Sequence, residues 1–149
     1  QKWKLLFFAR PQSRFAKAYG EEGGQKPRLV DVTGRLEIVF GEQRGNHFDF
    51  HKGEAKLKIP LPQEKFVYAI ELLYAVEGMA ELESGLETKV RWHSPDGKIE
   101  VQEVILEPGT KLKRYVIWLW DETKAIELLP HRQASKLVIK SVKAMVRRD

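Results

Sequence analysis

Apolar and polar residues alternate along much of this chain with a period of two, which is typical of β-strands that bury one face. The alternation is clearest in AKLKI at residues 55–59, where three apolar side chains would face a core and two lysines would face water. The runs LEIVF at 36–40 and LETKVRW at 86–92 repeat the pattern. A Ser-Pro-Asp-Gly turn at 94–97 follows the last of these runs, so residues 86–106 are predicted to form a hairpin.

Two longer segments fit either a helix or a strand. Residues 65–76, KFVYAIELLYAV, contain enough Ala, Glu and Leu for a helix, but large apolar residues at every second position favour a long central strand. Residues 135–147 form either a basic amphipathic helix, which would suit membrane or partner binding, or a final strand. Their β-branched content and the β-rich surroundings favour the strand.

The predicted elements together indicate an all-β fold, an antiparallel β-sandwich of jelly-roll type with eight to ten strands. A strand is predicted at residues 3–9 and a short helix near residues 13–19, before a Gly/Pro-rich connection at 20–27. The length of 149 residues suits a single sandwich domain spanning residues 1–149. Because the chain begins with Gln, we expect a processed form or a piece excised from a larger protein.

Composition and charge narrow the possible functions. The chain has no cysteine, which excludes disulfides and thiolate chemistry, and no apolar run approaches the roughly 20 residues of a membrane-spanning helix. Residues 1–30 and 130–149 each carry a net charge of +5, whereas residues 31–129 carry −5. The basic ends could bind an anionic surface such as lipid headgroups. Nucleic acid is a disfavoured partner, since the basic residues do not interleave with aromatic ones.

Motifs for catalysis and metal binding are weak. No phosphate-binding glycine loop and no GxSxG elbow occur, so neither an enzyme activity nor a cofactor is predicted. His47, Asp49 and His51 share one side of an extended segment and could bind a metal, but exposed loop or strand residues are the simpler interpretation. Asp121 and Glu122 could help to bind calcium, yet no spaced ligand loop accompanies them. No metal site is therefore predicted.

The aromatic residues are more informative. The run RYVIWLW at 114–120 is apolar on both faces of a strand, and so is the run at 65–76. A strand in a two-sheet sandwich buries one face only, so something must cover the second face. The candidates are a loop such as residues 11–27, a partner chain, an attached domain or a ligand. An exposed face that carries Trp and Tyr suits sugar rings, whose C–H faces stack on aromatic rings, and it also suits a protein interface.

The run FVYAIELLYAVEGMAELE, followed by VRWHSPDGK, a Trp-bearing strand, KAIELLP and SKLVIKSVKAM, resembles the galactose-binding-like, jelly-roll carbohydrate-binding modules. The likeness covers residues 28–146, and residues 125–130 and 136–145 resemble the two closing strands of such modules. The opening run LLFFARPQSRFAKAYG is similar to that of accessory β-domains in polysaccharide-handling proteins. The resemblance implies non-catalytic glycan binding or an accessory role, and it transfers no individual binding residue.

We therefore predict a non-catalytic carbohydrate-binding or accessory module for a polysaccharide or oligosaccharide, with an extracellular or cell-envelope location favoured. The residues predicted to contact the ligand are four aromatic side chains for stacking and two hydrogen-bonding side chains on a neighbouring strand: Trp118, Trp120, Trp92, Tyr74, Arg91 and His93. An alternative is a structural or assembly module that docks onto a partner or onto other domains of its parent protein. A second alternative is an anionic-surface binder that uses the basic termini.

Overall fold

The computed structural model describes residues 27–50, 55–77, 85–130 and 136–148. These ranges contain eleven β-strands and one turn of 3-10 helix at Thr33–Arg35. The strands are β1 (Arg28–Asp31), β2 (Glu37–Val39), β3 (Glu42–Arg44), β4 (His47–Asp49), β5 (Lys56–Pro60), β6 (Phe66–Glu77), β7 (Leu86–His93), β8 (Ile99–Leu106), β9 (Gly109–Glu122), β10 (Ala125–Pro130) and β11 (Lys136–Val146). The strand predicted at residues 3–9 and the short helix predicted near residues 13–19 lie outside the described residues.

The strands form two antiparallel sheets. Sheet A has the order β3-β4-β11-β6-β9, and β1 also pairs with β11. Sheet B has the order β2-β5-β10-β7-β8. The prediction of an all-β antiparallel sandwich is confirmed, although the described residues contain eleven strands rather than eight to ten. The strands that the alternation did not predict are β1, β3 and β4, which have only three or four residues each.

The core lies between the two sheets and follows the alternation seen in the sequence. On sheet B, Leu57, Ile59 and Val90 are fully buried, while the charged residues between them on β5 and β7 face outward. On sheet A, Ile70 and Leu72 of β6 face them from the other side of the core. Burial of one such side chain stabilises the fold by about 1.5–3 kcal/mol. The face of each strand that carries the apolar residues is therefore the one that packs into the core.

The two ambiguous segments are both strands. β6 and β11 pair with each other over ten residue pairs, and β6 is held between β11 and β9 in the middle of sheet A. A strand flanked on both sides satisfies its backbone groups in ladders, and this tertiary context outweighs the helix propensity of Ala, Glu and Leu. The hairpin predicted at 86–106 is also confirmed, with the pairing of β7 and β8 running from Leu86–Leu106 to His93–Ile99.

Sheet A is irregular at the end where β6 begins and β9 ends. The pairing shifts from Ala69–Trp118 to Val67–Asp121, so β9 supplies two residues between these pairs where β6 supplies one. Such a bulge bends the strand and re-aims a side chain. Trp120, inside the bulge, has a φ of 52°, in the left-handed region that non-glycine residues rarely adopt.

Side-chain hydrogen bonds join the two sheets along the side formed by β8 and β9. Asp121 Oδ2 accepts hydrogen bonds from Trp92 Nε1, at 2.9 Å, and from the Ser94 hydroxyl. Further along, the Gln102 side-chain amide donates to the Trp118 carbonyl. The indole N–H of the buried Trp92 is therefore satisfied by Asp121. The same hydrogen bond joins the end of β9 to the end of β7 across the sandwich.

Candidate functional site

The six residues predicted to contact a ligand lie in three different places. Trp118 and Trp120 belong to β9 and point out of sheet A, whereas Arg91 and His93 belong to β7 and point out of sheet B. The prediction that the hydrogen-bonding pair lies on a strand neighbouring the tryptophan strand is therefore wrong. β7 pairs with β8 and β10 in sheet B, whereas β9 crosses to sheet A and pairs with β6.

Tyr74 and Trp92 lie inside the sandwich. Tyr74 is 1% exposed, and its hydroxyl accepts a hydrogen bond from the backbone N–H of Glu107 at 2.9 Å. Burial raises the pKa of the Tyr74 phenol, against the lowering effect of that hydrogen bond. Trp92 is 4% exposed, and its indole N–H donates to Asp121. Neither side chain presents a ring face to solvent, so neither is placed to stack on a sugar.

The outer face of sheet A carries an aromatic cluster of Phe66, Tyr68 and Trp120 at its irregular end. The ring centroids are 5.0–5.9 Å apart and the ring planes are inclined at 51–86°. The Arg147 guanidinium lies 5.0 Å from the centroid of the Phe66 ring, in cation–π geometry. Rings that meet edge to face stabilise one another, but they share no plane on which a sugar could lie flat.

The neighbouring part of this face is apolar and largely buried. Tyr68 is 5% exposed and Trp118 9% exposed, and the outward-pointing Ala69 is fully buried. The polar contact beside them is an ion pair between Glu71 of β6 and Arg114 of β9, with 2.7 Å between nitrogen and oxygen. The outer face of sheet A is therefore built mainly for packing, with Trp120 half-buried at its end.

The outer face of sheet B has the opposite character. A groove of about 810 Å³ crosses β2, β5, β10 and β7 and ends against Ser94–Pro95 and the segment after β9. Among the described residues, its lining includes four carboxylates, which are Glu37, Glu64, Glu122 and Glu127. Its lining within the same ranges also includes four basic side chains, which are Lys56, Lys58, Arg91 and Lys124. His93, one of the predicted contact residues, lies at the β7 wall.

An ion-pair network forms the floor of this groove, which we call the sheet B groove. Arg91 donates two hydrogen bonds to Glu127 Oε1, at 3.1 and 2.8 Å, and Lys56 Nζ lies 2.5 Å from Glu127 Oε2. Partial burial acts to raise the pKa of Glu127, but the hydrogen bonds and charges of Lys56 and Arg91 together lower it below its ordinary value. Glu127 is therefore an ionised acceptor between two fixed donors.

The sequence analysis missed Lys56, Lys58 and Glu127, although their outward positions are visible in AKLKI and AIELL. The missing information was the strand order, since β5, β10 and β7 are distant in the chain and adjacent in the sheet. Once these strands are placed side by side, cross-strand pairing brings Glu127 opposite both Lys58 and Arg91.

The alternative metal sites find no support in the part of the chain that the structure describes. His47 lies 4.0 Å from Glu77, and within the described ranges no group of three or more His, Asp or Glu side chains is arranged to hold a metal. His51 lies outside those ranges. Both oxygens of Asp121 accept hydrogen bonds within the fold, from Ser94, Trp92 and its own neighbour Glu122.

Other features bear on possible partners. No helix among the described residues combines the length and the apolar character that crossing a bilayer requires. Of the two basic ends, the C-terminal one lies within the described ranges from Lys136 to Arg148. Most of the N-terminal one lies outside them.

The fold is similar to that of several carbohydrate-binding modules. A family 29 carbohydrate-binding module matches with a TM-score of 0.56 at 10% identity, over 80% of this chain and 89% of that one. The xylan-binding module CBM15 matches with a TM-score of 0.56 at 10% identity, over 83% and 99% of the two chains. CpGH89CBM32-4, produced by Clostridium perfringens and seen in complex with GlcNAc-α-1,4-galactose, matches with a TM-score of 0.51 at 19% identity, over 81% and 96%.

These likenesses concern the fold, and they confirm the predicted resemblance to jelly-roll carbohydrate-binding modules at that level. No family model matches the sequence, and no curated protein matches it.

Proposed function

We propose that this domain is a non-catalytic carbohydrate-binding module and that the sheet B groove holds the saccharide chain. The observation that carries the proposal is an open groove whose floor offers charged donors and acceptors from rigid, hydrogen-bonded strands. Saccharide hydroxyls both donate and accept, so alternating carboxylates and cations suit them. The shared fold with xylan-binding and other carbohydrate-binding modules supports the same function.

The groove is a better candidate than the aromatic cluster for geometric reasons. A stacking platform needs ring faces that are open and nearly coplanar, whereas the planes of Phe66, Tyr68 and Trp120 are steeply inclined to one another. Trp118 is only 9% exposed, so it offers little ring surface to a sugar. We therefore assign the main contacts to Arg91 and His93, with Lys56, Lys58 and Glu127, and treat Trp120 as the residue that tests the competing site.

A non-catalytic role fits the electrostatics of the groove floor. A general acid in glycoside hydrolysis needs a carboxyl group whose pKa is raised so that it can donate a proton. The Lys56 and Arg91 contacts have the opposite effect on Glu127. The best-placed carboxylate is thus suited to accepting hydrogen bonds from hydroxyls.

Affinity electrophoresis in gels that contain mannan, xylan or mixed-linkage β-glucan tests the proposal. We expect retention of the wild type on at least one polymer and at least a fivefold weaker affinity for Arg91→Ala, as expected for loss of a charged hydrogen bond. Arg114→Ala is the matched control, because Arg114 forms a comparable ion pair on the outer face of sheet A. Its affinity should stay within twofold of the wild type.

Two results would contradict the proposal. If Trp120→Ala is no longer retained on the gel while Arg91→Ala is retained like the wild type, the saccharide binds at the aromatic cluster instead. If the wild type is not retained on any polymer, carbohydrate binding itself is contradicted.

A second candidate is docking to a partner or to another domain through the outer face of sheet A. The supporting observation is that Leu29 of β1 and Leu112 of β9 are large apolar residues with 56% and 46% exposure on strands of this sheet. Size-exclusion chromatography with light scattering would support self-association if the mass exceeds 17.3 kDa and falls to that value in a Leu112→Lys variant.

A further inference from the structure

Charges alternate in sign across the floor of the sheet B groove. Glu37 of β2 is directly opposite Lys58 of β5, and Lys58 is opposite Glu127 of β10. Glu127 is in turn opposite Arg91 of β7. One cross-strand row thus reads negative, positive, negative, positive, and such opposite-charge neighbours are mutually favourable.

The groove is therefore balanced in charge, although the chain as a whole is basic. Its four carboxylates and four Lys or Arg side chains, counted over the described residues, give a formal charge of zero, whereas the whole sequence carries +5. Glu127 lies in the middle of this arrangement. Each of its oxygens takes a different cation, with Arg91 at Oε1 and Lys56 at Oε2.

This inference rests on the proposed saccharide site: we infer that Glu127 makes the groove selective for uncharged saccharide chains over anionic ones such as uronates. Glu127 is already paired with Arg91 and Lys56, the two cationic side chains that a sugar carboxylate would otherwise bind. An arriving anion must also approach the negative charge of Glu127 itself. Neutral hydroxyls meet no such opposition, because they can donate to Glu127 and accept from Arg91 and Lys56, which have more N–H groups than their contacts with Glu127 use.

Isothermal titration calorimetry with matched pairs of sugars tests this selectivity. One pair is β-1,4-mannohexaose and the β-1,4-mannuronate hexamer, which differ only in the group at C6, and the second pair is cellohexaose and the β-1,4-glucuronate hexamer. For the wild type, we expect the neutral member of a pair to bind at least fivefold more tightly than the acidic one. The repulsion between two unit charges about 4 Å apart in water corresponds to a factor of about five in affinity. Binding of the neutral member should not change appreciably between low and high salt.

Glu127→Gln removes the negative charge while keeping the shape and an acceptor oxygen. We expect it to bind the acidic hexamer about fivefold more tightly than the wild type does. Binding of the neutral hexamer should weaken, because a hydroxyl donates a weaker hydrogen bond to an amide oxygen than to a carboxylate. The control is Glu42→Gln on β3, which changes the total charge equally but lies in sheet A. If thermal unfolding shows that Glu127→Gln is not folded, Glu37→Gln at the end of the same row replaces it, with the same direction and a smaller effect.

The outcomes separate the inference from the function on which it rests. Equal or tighter binding of the acidic hexamers by the wild type overturns the selectivity and leaves carbohydrate binding intact. A gain in Glu127→Gln no larger than that in Glu42→Gln overturns the role of Glu127. If the wild type binds none of these sugars and is not retained on any polymer gel, both the proposed function and the inference fail.

Discussion

The outer faces of the two sheets use their side chains in opposite ways. On sheet A, aromatic rings pack on one another at 5.0–5.9 Å, and Ala69 and Trp118 are nearly or fully buried although they point away from the core. On sheet B, charged side chains alternate and leave an open groove of about 810 Å³. An apolar outward face thus indicates packing in this domain, and the face with balanced charge is the one on which we propose that the ligand binds.

The largest expected difference between the two faces is in stability. Trp118→Ala should lower the free energy of unfolding by about 3–5 kcal/mol, as for other large buried aromatics. Arg91→Ala should lower it by less than about 1 kcal/mol, because its side chain is 37% exposed and its ion pair is near the surface. Urea unfolding followed by circular dichroism measures both values. Similar losses for the two variants would remove the distinction between a packing face and a binding face.

A smaller effect concerns the backbone of Trp120, whose φ is 52°. Glycine adopts this conformation without the steric strain that a Cβ brings, so Trp120→Gly should be more stable than Trp120→Ala by about 1 kcal/mol. Val116, outward on the same strand, is the control: there glycine should be less stable than alanine by about 0.5–1 kcal/mol. The same order of stability at both positions in thermal unfolding would argue against a strained bulge beneath the aromatic cluster.

The smallest expected effect is the acid response of the sheet B groove. The folded-state pKa of Glu127 is lowered, so its network stabilises the fold above the ordinary carboxyl pKa of 4.5 and loses that contribution as the pH falls through the lower folded value. Below about pH 4.5, the wild type should lose stability more steeply than Glu127→Gln, by less than about 1 kcal/mol for a partly exposed network. Melting temperatures between pH 3 and 6 compare them. Parallel curves would mean that the network adds nothing to folding.

Local periodicity was enough to predict most of the fold. The alternation in β5 and β7 predicted both the strands and the inward placement of Leu57 and Val90. The turn at 94–97 predicted the hairpin, because Pro, Asp and Gly favour that geometry wherever the segment lies. The same local pattern explains the confirmed prediction that residues 65–76 form a strand.

The candidate site depended on information that local patterns do not contain. Arg91 and Trp118 were expected on neighbouring strands, yet they are on different sheets, because strand order is set by pairing between distant segments such as β5 and β10. The burial of Trp92 depends on an acceptor, Asp121, that is 29 residues away in the chain. The bulge that aims Trp120 outward arises from a mismatch between two strands, which neither strand shows alone.

Asp121 connects the aromatic end of sheet A with the sheet B groove, which matters for protein engineering. It directly follows the bulged Trp120, and it also accepts a hydrogen bond from Ser94 in the wall of the sheet B groove. A redesign that repacks the aromatic cluster of sheet A would move the backbone that carries Asp121. Through the Ser94 hydrogen bond, it would also move the end of the sheet B groove. Affinity tags or fused domains are therefore better grafted at the β3–β4 turn, which belongs to sheet A and is not among the described residues that line the sheet B groove.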